Sequence, residues 1–74
     1  MSSSKFIKGT YLKDKYNDTI YIITHESPPI KMFGDTYIQV TEIMGDKPGK
    51  KWCYPESRGK KIGMSLDDVM VSEL

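Results

Sequence analysis

The chain has 74 residues, 38% hydrophobic and 28% charged, with a formal net charge of +1; that is enough for one small domain with a thin core. Its longest apolar run, Ile20-Tyr21-Ile22-Ile23, falls far short of the roughly 20 residues that cross a bilayer. Met1-Ser2-Ser3-Ser4-Lys5 leads into no apolar stretch of the secretory kind, and the lone Cys53 excludes an internal disulfide, so a cytoplasmic protein is expected.

Alanine is absent, while Ile (8), Val (3), Thr (5), Tyr (5), Phe (2) and Trp (1) are abundant. β-branched and aromatic side chains fit a pleated, half-buried surface, and alanine is the strongest helix former. The composition therefore predicts an all-β fold.

Residues 1–4 are expected to be a disordered polar tail, and residues 5–74 one small β-barrel domain. Phe6 to Leu12 alternates loosely and predicts a first strand. Lys13 to Asp18 predicts a polar turn, with Asn17 and Asp18 as the positions for unusual backbone angles. Thr19 to Thr24 predicts a strand with apolar side chains on both faces, hence a central strand or one whose second face meets a partner. His25-Glu26-Ser27-Pro28-Pro29 ends it, because neither proline can donate to a ladder. Ile30 to Phe33 reads as a loop, and Gly34-Asp35 opens a strand from Thr36 to Met44. Ile38 and Val40 share a face there, whereas Ile43 has the opposite parity, so a bulge near Thr41-Glu42 is expected to turn Ile43 inward. Gly45 to Gly49 predicts a turn, Lys51 to Tyr54 a short strand, Pro55 to Gly59 a second turn, and Lys60 to Met64 a fifth strand.

The C-terminal segment admits two readings. Ser65-Leu66-Asp67-Asp68 has the shape of a capping box, and Leu66, Val69, Met70 and Leu74 suit a short amphipathic helix. Alternatively, a one-turn 3₁₀ helix precedes a last strand at Val69-Met70-Val71, because Val-x-Val favours extended backbone. Five or six short strands, a long central hairpin, a bulge and a one-turn helix before the last strand resemble an SH3-like small barrel. An OB-like barrel and a four-stranded sheet with a C-terminal helix are the alternative readings.

Little points to catalysis. His25 is the only histidine and Cys53 the only thiol, too few for a structural zinc set and without a local nucleophile signature. His25 is expected half-exposed at a strand end, and Cys53 as a small buried hydrophobe. Gly45-Asp46-Lys47-Pro48-Gly49-Lys50-Lys51 lacks the glycine spacing and the hydroxyl residue of a phosphate-binding loop, so a β-turn is the better explanation. Asp67 and Asp68 are adjacent and therefore diverge, which suits helix capping more than a paired-carboxylate site. No enzyme activity, cofactor, metal or small-molecule substrate is expected.

Charge is distributed unevenly. Lys47, Lys50, Lys51, Arg58, Lys60 and Lys61 against Glu56 give residues 47–61 a net +5, leaving −4 for the rest. Trp52 and Tyr54 lie within this stretch on one face of a strand. Basic residues with interleaved aromatics compose single-stranded nucleic-acid surfaces, in which rings stack on bases and cations follow phosphates. The set Lys50, Lys51, Trp52, Tyr54, Arg58, Lys60 and Lys61 is thus one candidate site; the competing reading turns Trp52 into the core. Ten lysines to one arginine argue against sequence-specific reading, which favours the arginine fork.

The other candidate surface is acidic. Asp18, Glu26, Asp35, Glu42 and Asp46 oppose only Lys31 across residues 17–46, and Asp67, Asp68 and Glu73 add to them. Asp35, Glu42, Asp67, Asp68 and Glu73 form the candidate docking face for a basic partner. The Lys-over-Arg bias, the missing alanine and the small β-barrel pattern are similar in style to small early host-takeover proteins of virulent phages. That resemblance implies an inhibitor of a host DNA replication or transcription protein, such as the sliding clamp, acting in the host cytoplasm. Gln39-Val40-Thr41-Glu42-Ile43-Met44 departs from the usual clamp-pocket peptide by placing Glu42 where an aliphatic residue belongs. The leading expectation is therefore a non-enzymatic inhibitor that blocks a DNA-binding surface, and the alternative is a small nucleic-acid-binding barrel. A homodimer is also expected, from the two-faced strand at Ile20 to Ile23 and the thin core.

Overall fold

The computed structural model describes residues 6–64 and Asp67. The elements are β1 (Tyr11–Asp14), β2 (Ile20–Ile23), β3 (Ile30–Met32), β4 (Asp35–Met44), β5 (Lys51–Pro55), a 3₁₀ turn (Glu56–Arg58) and β6 (Gly59–Gly63). Every pairing is antiparallel: β6 pairs β1, β1 pairs β2, β2 pairs β4 and β4 pairs β5. β3 pairs the first residues of β4 on the edge that β2 occupies further along, because Tyr37 joins Ile30 on one side and Pro55 on the other. The protein is therefore all-β with a minor 3₁₀ turn, and its six-stranded sheet, in which the last strand returns to pair with the first, is compatible with a small barrel-like fold.

The pleat sets the core. Ile38 and Val40 of β4 face inward with Leu12 of β1, Tyr21 and Ile23 of β2, and Tyr54 of β5, and Phe6 joins them from the preceding turn. Leu12, Ile23, Ile38 and Val40 are at most 1% exposed, a burial that stabilises by about 1.5–3 kcal/mol for each side chain. The rings of Tyr21 and Tyr54 meet at 4.6 Å with planes tilted by 41°, within the range of favourable aromatic pairs.

The central placement of β2 bears out one of its two expected roles. Its second face is covered within the chain, since Ile20 is fully buried and Ile22 half-buried, so the two-faced pattern requires no second copy.

Several local expectations are corrected. Phe6 to Leu12 is not one strand: Gly9 has φ +90 and the Thr10 amide bonds back to Ile7 O at 3.2 Å, so a turn precedes β1. Lys13 and Asp14 extend β1 instead of starting the next turn, because Asp14 continues the inward parity of Leu12 and finds buried partners. Asn17 and Asp18 are not the positive-φ sites; His25 (φ 47) and Phe33 (φ 52) are. Asn17 instead shapes its turn through its side chain, whose Oδ1 accepts the Thr19 amide at 2.8 Å. Ile30 to Phe33 is a strand leading into a tight turn, not a loop. Phe33 and Gly34 both have positive φ between the paired residues Met32 and Asp35, as a type I′ hairpin requires.

The expected bulge in β4 occurs, one residue further on and with another outcome. Tyr21 pairs Glu42 and Ile20 pairs Met44, leaving Ile43 as the extra residue. The inward parity of Ile38 and Val40 continues to Glu42, which is 4% exposed, and Ile43 stays half-buried. A one-turn 3₁₀ helix occurs at Glu56–Arg58, where a simple turn was expected, and it hands the chain directly to β6. Apart from an exposed Asp67, the helix-or-strand question at residues 65–74 lies outside the described residues.

Candidate functional site

The acidic face is not assembled as expected. Glu42 is turned inside, where Oε2 accepts the Lys47 amide at 2.6 Å and Oε1 accepts the Trp52 indole N–H at 3.1 Å. Its main chain also bonds Lys50 O and the Gly49 amide, so this carboxylate braces the β4–β5 turn. Asp35 is half-buried; Oδ1 accepts the Thr36 amide at 2.8 Å and Oδ2 accepts the Ser57 hydroxyl. Glu26 pairs with Lys51 at 3.0 Å, and Asp18 lies 3.7 Å from Lys13. Asp67 is exposed, and Asp68 and Glu73 lie outside the described residues.

Of the basic set, Lys50, Lys51, Trp52, Arg58, Lys60 and Lys61 are at the surface. Trp52 is not a core residue: it is 36% exposed, with its indole N–H tethered to Glu42 and Lys50 Nζ 4.0 Å from the ring centroid. Tyr54 leaves the set, because its strand position opposite Ile38 points it into the core at 5% exposure. Its hydroxyl donates to Asp14 Oδ2 at 2.7 Å. Burial, and then this bond and the Asp14 charge, push the Tyr54 phenol well above its ordinary value. Cys53, expected inside, is exposed on the opposite parity to Trp52 and Tyr54. His25 is half-buried, as expected, and its Nε2–H donates to Phe6 O at 3.0 Å.

Sequence reasoning passed over the β1–β2 connection. Asp14 is buried beneath it, accepting the Tyr16 amide at 2.7 Å and lying 3.4 Å from Arg58 Nη2. Arg58 extends over the Tyr16 ring, 5.3 Å from its centroid, and leaves that ring 75% exposed. The signal was present in the alternation, since Asp14 repeats the parity of Leu12. A cleft of about 210 Å3 opens where this connection meets β5, lined by Trp52, Cys53, Pro55 and Arg58 with the rings of Tyr21 and Tyr54. Asp14 and Asn17 complete its lining, and it combines aromatic rings, an exposed indole and a half-exposed guanidinium, a set suited to a flat aromatic group linked to a phosphate.

A separate apolar feature projects from the β3–β4 hairpin. Phe33 is 94% exposed, and Ile30 and Met32 are exposed beside it. Among the described residues, no group of three or more His, Cys, Asp or Glu side chains converges as a metal site, and no helix is long and apolar enough to cross a membrane. No family model, curated protein or solved structure matches the chain.

Proposed function

We propose that this protein works by binding, and that the ligand of the β5 face is single-stranded nucleic acid. The observation that carries this reading is Trp52: an indole fixed by a buried carboxylate, with an ammonium group 4.0 Å from its ring, at the mouth of an aromatic cleft. A base stacked on the indole would bring its phosphate within reach of Lys50 or Arg58, and Lys60 and Lys61 would extend the charge. Stacking accepts any base, which agrees with the scarcity of arginine. Lys51 contributes less, because Glu26 already neutralises it.

The test uses the lone tryptophan as its own reporter. Titration with an oligothymidylate should quench Trp52 emission, and the logarithm of the binding constant should fall linearly with the logarithm of salt concentration. For single strands that slope is about 0.7 per phosphate neutralised. Emission and anisotropy that do not change up to millimolar oligonucleotide would remove this function.

One observation favours a second reading, an inhibitor of a host replication or transcription protein of the kind small phage proteins provide. Phe33 is a large exposed ring held in a backbone conformation unfavourable to it, a combination found where strain serves recognition. Binding to a purified bacterial sliding clamp that is lost in Phe33→Ser and kept in Trp52→Leu would support this reading. Binding indifferent to Phe33 would remove it.

A further inference from the structure

β1 and β6 place two lysines directly opposite one another. Lys13 pairs with Lys60 in the antiparallel ladder, and like charges at opposed positions destabilise a sheet by themselves. Lys15 follows on the same connection, its amide bonded to Arg58 O at 2.8 Å. Lys13, Lys15 and Lys60 line an open cleft of about 500 Å3 together with Tyr16 and Asn17. Two carboxylates belong to this cleft. Asp14 is turned inward to Tyr54 and Arg58, and Asp18 stands exposed at 3.7 Å from Lys13. Three ammonium groups thus face one exposed carboxylate.

This cleft adjoins the Trp52 cleft. Asp14 and Asn17 line both, and Arg58 joins them, bordering the Trp52 cleft while lying 5.3 Å from the Tyr16 ring centroid. Arg58 is thus shared between two exposed rings, lying over Tyr16 and lining one cleft with Trp52, and Tyr16 is followed by a paired-lysine groove. Stacked bases alternating with phosphates present the matching order of flat rings and negative charges.

We infer that the nucleic-acid site extends from β5 across the β1–β2 connection to β6, with Tyr16 as a second stacking platform and Lys13, Lys15 and Lys60 as the phosphate track. This inference rests on the proposed single-strand binding at Trp52. It adds residues that the Lys47–Lys61 stretch does not contain, and a backbone phosphate bound there would relieve the Lys13–Lys60 opposition that the exposed Asp18 only partly offsets.

The experiment measures binding of fluorescein-labelled dT8 over a salt series for the intact chain, Tyr16→Leu, Tyr16→Phe, the double variant Lys13→Gln/Lys60→Gln, Trp52→Leu and the control Lys31→Gln. Tyr16→Leu should weaken binding roughly fivefold or more, and Tyr16→Phe should restore it. The double lysine variant should lower the salt slope by about 0.7 for each phosphate that is no longer neutralised, with Lys31→Gln unchanged. The inference is overturned if Tyr16→Leu and the double lysine variant bind as the intact chain does while Trp52→Leu does not; the Trp52 reading then survives alone. It is also overturned if polyglutamate of equal charge competes as well as unlabelled dT8, since a general polyanion surface needs no ring. If the intact chain fails to bind dT8 at low salt, the proposed function falls together with this extension.

Discussion

The indole N–H of Trp52 donates to Glu42 Oε1 at 3.1 Å, so an exposed ring is held by a carboxylate that is itself 4% exposed. The other oxygen of the same carboxylate holds the Lys47 amide at 2.6 Å. One side chain thereby fixes both the β4–β5 turn and the ring at its base. Removing it would leave two donors without their acceptor, and each hydrogen bond to a charged group is worth about 1.5–3 kcal/mol. Glu42→Ala should therefore cost about 3 kcal/mol in urea denaturation, while Glu42→Gln, which keeps one acceptor, should cost roughly half of that. Equal costs for both variants would show that the packing of the side chain matters more than its oxygens.

Gly45 follows the bulge, and a Cβ there would lie 2.6 Å from Glu42 Oε2 and 2.9 Å from Thr19 Cγ2. Gly45→Ala should displace that carboxylate and cost about 1–3 kcal/mol, the usual range for overpacking. Trp52 emission should shift at the same time, because the indole loses its tether. A stable Gly45→Ala variant with unaltered emission would argue against this linkage.

Phe33 occupies the first central position of the β3–β4 turn at φ 52, where asparagine is favoured and a bulky residue is strained. Left-handed backbone costs an ordinary L-residue about 1–2 kcal/mol. Phe33→Asn should therefore raise stability by about 1 kcal/mol, because a ring that is 94% exposed gives up little burial in exchange. Thermal or urea midpoints that stay level or fall would show that the ring packs in solution.

The two core tyrosines set an alkaline limit. Burial first, and then the Asp14 and Glu42 charges, raise the Tyr21 phenol above 10.0, and burial first, then the Asp14 hydrogen bond and charge, raise Tyr54 further. The folded chain thus keeps protons that the unfolded chain releases from about pH 10 upward. Their contribution is fully present below that pH and is lost as pH rises above it. Stability should fall by up to about 1.4 kcal/mol per pH unit for each such tyrosine. Tyr54→Phe should flatten the fall between pH 10 and 11, whatever it costs at pH 7. An unchanged slope in that variant would place the alkaline transition elsewhere.

The strands were legible where the alternation was regular. β2, β4 and β5 follow from Ile20-Tyr21-Ile22-Ile23, from Ile38 and Val40, and from the turn residues Gly45 to Gly49. Reading failed where a polar residue took an inward position. Glu42 and Asp14 keep the parity of Val40 and Leu12, yet the opposite parity of Ile43 suggested a bulge at Glu42 and the polar run from Lys13 to Asp18 suggested a turn at Asp14. Their partners, among them Trp52 N–H and Tyr54 O–H, make that burial tolerable, and no local pattern announces a bond spanning ten or forty residues. The β3 strand was missed because three exposed residues carry no alternation. Half of the candidate site, Trp52 with its neighbouring cations, was visible as composition. The other half, Tyr16 with Lys13 and Lys15, is distant in sequence and comes alongside only when β6 returns to β1.

That return also divides the ladders by the length of chain they must close. β1–β2, β3–β4 and β4–β5 are hairpins, and β2–β4 joins strands one hairpin apart, whereas Asp14 meets Gly59 and Tyr11 meets Gly63. Pairings distant in sequence carry the largest loop-closure entropy, so the meander around β4 can assemble first and the β6–β1 seam closes last. By the same reasoning the seam is the first to reopen. Amides of β6 should exchange with solvent sooner than those in the middle of β4, and a bound strand spanning both sides of the seam would slow that exchange.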